Sequence, residues 1–100
     1  MAKWGFLTNH GLVLIHVIDH PRSTLREIAN AVGITERAAL SLLRALEEEG
    51  IISRRKEGRR NRYTVNLAAL LTHRTQGPYT IAELGVNLVR FAQRVERAGA

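Results

Sequence analysis

The stretch TLREIANAV, which opens residues 24–50 (TLREIANAVGITERAALSLLRALEEEG), has the start and stop signals of a short helix. Thr24 and Glu27 stand three residues apart, the spacing of a capping box in which each side chain bonds the other residue's backbone amide. Gly33 follows at the position where a left-handed residue commonly ends a helix. We therefore predict a helix over residues 25–32.

A second helix is predicted directly after it, over residues 36–49, with Thr35 as its N-cap and Gly50 as its stop. Two helices joined by a three-residue turn that contains glycine are typical of a helix-turn-helix. The residues expected to face the core at helical spacing are Leu25, Ile28, Ala29, Val32, Ile34, Ala39, Leu42 or Leu43, and Leu46.

The segment before this pair predicts another helix, over residues 9–19, with Asn9 as a plausible N-cap and Pro21 fixing its end. Apolar side chains cover most of its surface, so we expect it to be buried on more than one side.

After Gly50 the apolar period changes to two, which predicts strands over residues 51–56 and 62–66 around a hairpin tip at 57–61. A basic hairpin that follows a helix-turn-helix is the arrangement of a winged helix. The predicted fold is an α-rich α+β winged helix-turn-helix, with a three-helix core and a two-stranded β wing over residues 8–66.

Residues 67–79 are interpreted as a connector, and residues 80–98 as a C-terminal dimerisation helix that begins with a capping box at Thr80 and Glu83. Its apolar residues form a narrow seam, which favours pairing with the same helix of a second subunit. The alternative is that this helix folds back on its own domain. The residues predicted for a homodimer interface are Trp4, Phe6, Ile81, Leu84, Leu88, Phe91 and Val95.

The charge is concentrated in the predicted wing. The 100 residues have a formal net charge of +6, and residues 51–66 hold six basic residues against one acidic residue, a net charge of +5. Such a density is typical of an anion-binding element rather than of general solubility.

Several classes of protein are not supported by the sequence. There is no cysteine, no apolar run of membrane-spanning length and no apolar N-terminal leader, so we expect a cytoplasmic protein without membrane contact. No nucleophile–base pattern or phosphate-binding loop appears, and we predict no enzyme activity and no cofactor. His16 and His20 have a spacing that can hold zinc, but a buried or helix-end role is favoured, and no metal site is predicted.

Four runs in order carry a family resemblance: LREIA at 25–29, VGITERAA at 32–39, LEEEGII at 46–52 and GRRNRY at 58–63. Together they resemble the DNA-binding domain of small prokaryotic winged-helix transcriptional regulators of the MarR/ArsR type. The resemblance covers about residues 10–66 and implies a dimeric regulator of transcription. It does not extend to an effector, because the cysteines and acidic–histidine pairs of many ArsR metal sensors are missing.

The second helix of the pair, with its N-cap (residues 35–49), is the predicted recognition helix, because small side chains in its N-terminal half let it approach base edges. Arginine can read guanine or phosphate, serine can bond either, and alanine can meet a thymine methyl group. Arg44 has an alternative role in a salt bridge with Glu47 or Glu48, and Glu36 in a solvent-facing first turn. The candidate residues are Thr35, Glu36, Arg37, Ala38, Ser41 and Arg44.

The wing, over residues 53–63, is predicted to contact the DNA backbone or minor groove, together with Ser23 and Thr24 at the start of the preceding helix. Tyr63 is expected to pack under the wing. The alternative function is a winged helix used for protein interaction or RNA binding. The wing candidates are Arg54, Arg55, Lys56, Arg59, Arg60, Asn61 and Arg62.

Overall fold

A computed structural model describes residues 7–74 and 77–99 of the chain. Trp4 and Phe6, predicted for the dimer interface, lie outside the described residues. The chain divides into two units, residues 1–66 and 67–100. No helix in the described part is long and apolar enough to cross a membrane.

The first unit has the predicted order of three helices and two strands. These elements are α1 (Asn9–Asp19), α2 (Leu25–Val32), α3 (Glu36–Glu48), β1 (Ile52–Glu57) and β2 (Arg60–Val65). The bounds of α1 and α2 are those predicted, and α3 ends one residue earlier. The predicted winged helix-turn-helix fold is therefore confirmed.

Local capping bonds explain why α2 begins and ends where it does. Thr24 N donates to Glu27 Oε1 at 2.8 Å and Glu27 N donates to Thr24 Oγ1 at 3.1 Å, which completes the capping box. Gly33 ends α2 with φ of 80°, in the left-handed region that glycine adopts without a steric penalty. At α1 the N-cap is Thr8 rather than Asn9, because Thr8 has an extended backbone and Asn9 is already helical.

The core of the first unit lies where the three helices meet the base of the wing. Its fully buried residues include Val13 from α1, Ile28 from α2 and Leu43 from α3. Of the two alternatives predicted for α3, it is therefore Leu43 rather than Leu42 that is fully buried in the core. In α1 only Val13 and Val17 are buried, and the other apolar side chains of this helix are half-buried or exposed. The expectation that α1 is buried on more than one side is therefore wrong for this unit. The exposed ones are Leu12, Ile15 and Ile18.

The wing is an antiparallel hairpin with a tighter tip than predicted. Glu57 pairs with Arg60, which leaves a two-residue loop of Gly58 and Arg59 instead of the five-residue tip. Gly58 has φ of 62°, and glycine at the first loop position is typical of turns that match strand twist. Tyr63 is buried as predicted, and its backbone N–H donates to the carbonyl oxygen of Pro21 at 2.7 Å.

The second unit differs from the prediction in its connector, which contains a short helix, α4 (Leu67–Thr72). The C-terminal helix α5 (Ile81–Gly99) follows, and its capping box is present, with Glu83 N donating to Thr80 Oγ1 at 3.2 Å. The α5 seam, defined as Ile81, Leu84, Leu88, Phe91 and Val95, is exposed except at Ile81, which is half-buried.

We expect Leu43→Ala to lower the free energy of unfolding by about 2–5 kcal/mol, because its side chain is fully buried and the truncation leaves a cavity. Urea unfolding followed by circular dichroism measures the loss. Leu67→Ala is the matched control, since Leu67 is exposed, and it should cost about 0.5 kcal/mol or less. Equal losses in the two variants would contradict the assignment of Leu43 to the core.

Candidate nucleic-acid interface

One face of α3 is exposed and carries two arginines and a serine. Arg37, Ser41 and Arg44 follow each other at spacings of four and three residues, which places them on the same side of the helix. The opposite side contributes Ala39 and Leu43 to the core. The burial of that apolar side therefore determines which side chains of α3 face outward.

The arginines of this face are not used for ion pairs within residues 7–74 and 77–99. A salt bridge from Arg44 to Glu47 or Glu48 was an alternative, but in the structure Glu47 Oε1 lies 3.7 Å from Arg54 Nε instead. The guanidinium groups of Arg37 and Arg44 are thus available to a ligand.

The N-terminal turn of α3 brings three further candidates to the same end of the helix. Thr35 Oγ1 accepts the backbone N–H of Ala38 at 3.0 Å, which leaves the hydroxyl proton of Thr35 for an outside acceptor. Glu36 is exposed in this first turn, where the helix dipole favours a negative charge. Ala38 is half-buried.

Ser23, a candidate at the start of α2, has its side chain inside the fold. It is 6% exposed, and its hydroxyl donates to the carbonyl oxygen of His20 at 2.9 Å. The single hydroxyl proton is used there, so His16 Nε2, also 2.9 Å away, must be the donor to Ser23 Oγ. Burial, followed by the charge of His20, lowers the pKa of His16. The Ser23 side chain therefore supports the α1–α2 loop and is not presented to DNA.

Glu27 joins the capping box of α2 to the wing. Its Oε1 accepts the backbone N–H of Thr24 and lies 2.6 Å from Arg60 Nη1, which also donates to the carbonyl oxygen of Arg22 at 3.0 Å. The bond from Thr24 N, followed by the bond from Arg60, lowers the pKa of Glu27 to about 2. Thr24 and Arg60, both DNA-binding candidates, thus share one carboxylate.

Near the tip of the wing, the carboxylate of Glu57 pairs with three further arginines. Its carboxylate accepts Arg62 Nε at 3.1 Å and lies 3.4 Å from Arg22 Nε and 3.6 Å from Arg55 Nη2. The hydrogen bond from Arg62 is the main cause that lowers the pKa of Glu57. The side chain of Arg55 is 81% exposed, so its pairing with Glu57 is loose.

Two wing cations have no carboxylate partner within the part of the chain that the structure describes. They are Lys56, near the end of β1, and Arg59, in the turn itself. Asn61 pairs with Lys56 across the hairpin and is half-buried. The basic stretch is therefore not uniform, because these two cations are free of carboxylates among the described residues while the other four are paired.

Arg22 was missed in the sequence reasoning, although it is exposed and joins the wing through Glu57. The only local signal is a cation between Pro21 and the capping box. Histidine and carboxylate groups provide no second site: in residues 7–74 and 77–99 no three of them lie close enough to hold a metal ion.

Comparison with known families matches residues 8–53 to the winged helix-turn-helix DNA-binding family. The chain contains a winged helix-turn-helix domain. The matched family is one of DNA-binding domains rather than enzymes, which agrees with the prediction that the chain is not an enzyme. A comparison with curated protein sequences finds no match.

Solved structures show the same fold in transcription regulators. The chain is similar to MepR of Staphylococcus aureus, a transcription regulator of the multidrug efflux pump MepA, with a TM-score of 0.61 and 19% identity over 93% of this chain and 64% of MepR. It is also similar to MepR bound to ethidium bromide, with a TM-score of 0.64 and 17% identity over 100% of this chain and 69% of that one. The chain thus spans about two thirds of the length of these structures.

We expect Glu27→Gln to destabilise the fold at neutral pH and to lose this effect in acid. The folded-state pKa of about 2 lies below the ordinary value of 4.5, so the ionised carboxylate stabilises the fold above pH 4.5 and stops doing so as the pH falls towards 2. Urea unfolding at about pH 7 and about pH 2.5 measures the difference from wild type.

Glu49→Gln is the control for this change, because Glu49 is exposed and forms no ion pair among the described residues. A destabilisation by Glu27→Gln that is equal at both pH values would show that the charge of Glu27 is not what holds Arg60 and Thr24.

Proposed function

We propose that the chain is a sequence-specific double-stranded DNA-binding transcriptional regulator that acts as a homodimer. Residues 35–49 lie in the major groove, and the wing, residues 53–63, lies on the backbone and minor groove. The observation that carries the proposal is the exposed face of α3, where Arg37, Ser41 and Arg44 stand together without carboxylate partners among the described residues.

The chemistry of this face suits base edges in the major groove. A guanidinium group donates two parallel bonds to guanine O6 and N7, and a serine hydroxyl can donate or accept at any base. The half-buried Ala38, beside Arg37, can meet a thymine methyl group. These are the roles we assign to Arg37, Ser41, Arg44 and Ala38.

The wing supplies attraction that does not depend on sequence. Arg59 in the turn and Lys56 beside it are the wing cations without carboxylate partners in the described part of the chain, so we assign them the first contacts with phosphate or with a narrow minor groove. We place this function in the cytoplasm, where prokaryotic DNA lies.

The homodimer is supported by apolar surface that each unit leaves uncovered. In α5 the side chains of Leu88 and Phe91 are 59% and 60% exposed, so most of its apolar seam has no packing partner within the second unit. In α1 the exposed Leu12, Ile15 and Ile18 add a second apolar face. A two-fold dimer presents two recognition helices to half-sites about 34–36 Å apart.

Selection from a random duplex library at fixed salt tests the proposal. Enrichment of a palindromic sequence is the expected result, because a two-fold dimer reads two inverted half-sites. Enrichment of no duplex sequence, or tighter binding to single-stranded RNA than to duplex DNA, would overturn it.

Arg37→Ala and Arg44→Ala should each relax the preference at one base pair of the selected half-site. Removal of a bidentate bond to a base costs about 1–3 kcal/mol of discrimination, while non-specific affinity changes less. Repeating the selection with each variant measures this. Arg94→Ala on α5 is the control, and an unchanged consensus in both α3 variants would remove α3 as the reader of bases.

The wing cations should not contribute equally to affinity. Lys56→Ala with Arg59→Ala should flatten the dependence of log affinity on log salt by about 0.9 for each phosphate that the variant no longer neutralises. Arg55→Ala with Arg62→Ala should flatten it less, because Glu57 already pairs those two arginines. Fluorescence anisotropy over a salt series compares the two, and the reverse order would contradict the assignment.

Leu88→Glu with Phe91→Glu should make the protein monomeric without unfolding the winged helix, because charges in the seam cannot be buried. Sedimentation equilibrium measures the mass. Val86→Glu with Val89→Glu is the matched control, since at about 100° per residue these exposed valines lie away from the seam. If the wild-type protein is a monomer at tens of micromolar, the proposed homodimer is wrong.

A further inference from the structure

Glu57 is the single carboxylate in residues 51–66, and it stands at the end of β1, directly before the turn of the wing. Its side chain is 28% exposed and reaches Arg62, Arg22 and Arg55 at 3.1, 3.4 and 3.6 Å. One negative charge therefore holds three positive charges beside the surface that we assign to DNA.

The position of these arginines explains why a carboxylate matters there. Arg55 and Arg62 are directly opposite each other in the hairpin, and like charges in that position repel. Glu57 lies two residues from Arg55 on the same face of the strand and offsets this repulsion. Without it, the guanidinium groups would spread into solvent.

We propose that Glu57 is a specificity-determining residue, which limits non-specific DNA binding by keeping the guanidinium groups of Arg22, Arg55 and Arg62 away from phosphates. The role rests on the proposed function. The hydrogen bond from Arg62 lowers the pKa of Glu57, so its carboxylate is ionised at neutral pH and attracts the three arginines there.

The energetics favour an effect on non-specific more than on specific complexes. Exposed ion pairs are weak, so a guanidinium group that has lost its carboxylate partner turns readily to a nearby phosphate. Non-specific affinity depends on the number of phosphates neutralised, and each further phosphate is worth a factor of about 8 at 0.1 M salt relative to 1 M. In a specific complex the base contacts fix the register, and freed arginines reach fewer additional phosphates.

The test is fluorescence anisotropy with the full chain, a non-specific duplex and the selected duplex over a salt series. Glu57→Gln should bind the non-specific duplex at least about threefold more tightly at 0.1 M salt, steepen its salt slope by about 0.9 per additional phosphate neutralised, and reduce the ratio of specific to non-specific affinity. Glu57→Asp, which keeps the charge, should stay close to wild type.

Two controls separate release of the arginines from a simple change in net charge. Glu49→Gln removes the same charge from a residue with no ion pair among those described, and it should leave the slope unchanged. Adding Arg22→Ala, Arg55→Ala and Arg62→Ala to Glu57→Gln should cancel the increase in affinity.

Unchanged or weaker non-specific binding by Glu57→Gln, with the circular dichroism of wild type, would overturn the inference and leave Glu57 as a support for the shape of the wing. If the wild-type protein binds no duplex DNA at low salt, the proposed function itself is wrong. If the wild-type protein binds duplex DNA but Glu57→Gln does not bind it more tightly, only the inference about Glu57 is wrong.

Discussion

Burial of one side of α3 is the constraint on which the rest of the candidate interface depends. Leu43 is fully buried, and with Ala39 it packs α3 into a core that α1 and α2 share. A helix with one buried side must expose the other, so Arg37 and Arg44 face outward as a result of core packing. The left-handed conformation of Gly33 permits this arrangement, because it ends α2 and lets α3 begin three residues later, at Glu36.

The wing is held against the α1–α2 loop by bonds to two backbone carbonyl groups of that loop. Tyr63 N–H donates to the Pro21 carbonyl oxygen, and Arg60 donates to the Arg22 carbonyl oxygen. These bonds place β2 beside the start of α2, where Glu27 can pair with Arg60. A high net charge in the sequence therefore becomes a smaller set of available cations, because α2, α3 and β1 each bring one carboxylate to the paired arginines.

The apolar surface that the two units leave exposed supports the same proposal as the charge pattern, a DNA-binding dimer. Short or isolated helices gain most of their stability in proteins from packing of an apolar face, and α5 leaves Leu88 and Phe91 more than half exposed. The exposed side of α1 is a second surface of this kind. A regulator that reads DNA with one helix per subunit gains both affinity and specificity from a dimer, so burying these faces between copies would serve stability and recognition together.

By itself the sequence determined the features that depend on neighbours within about four residues. The capping box of Thr24 and Glu27 and the stop at Gly33 follow from bonds between residues three or four positions apart, and the structure has them where they were predicted. Only the tertiary structure decided the inward position of Ser23 and the pairing of Glu27 with Arg60, which are 33 positions apart. Such contacts depend on how the α1–α2 loop packs against β2, and no local pattern in the sequence encodes that packing.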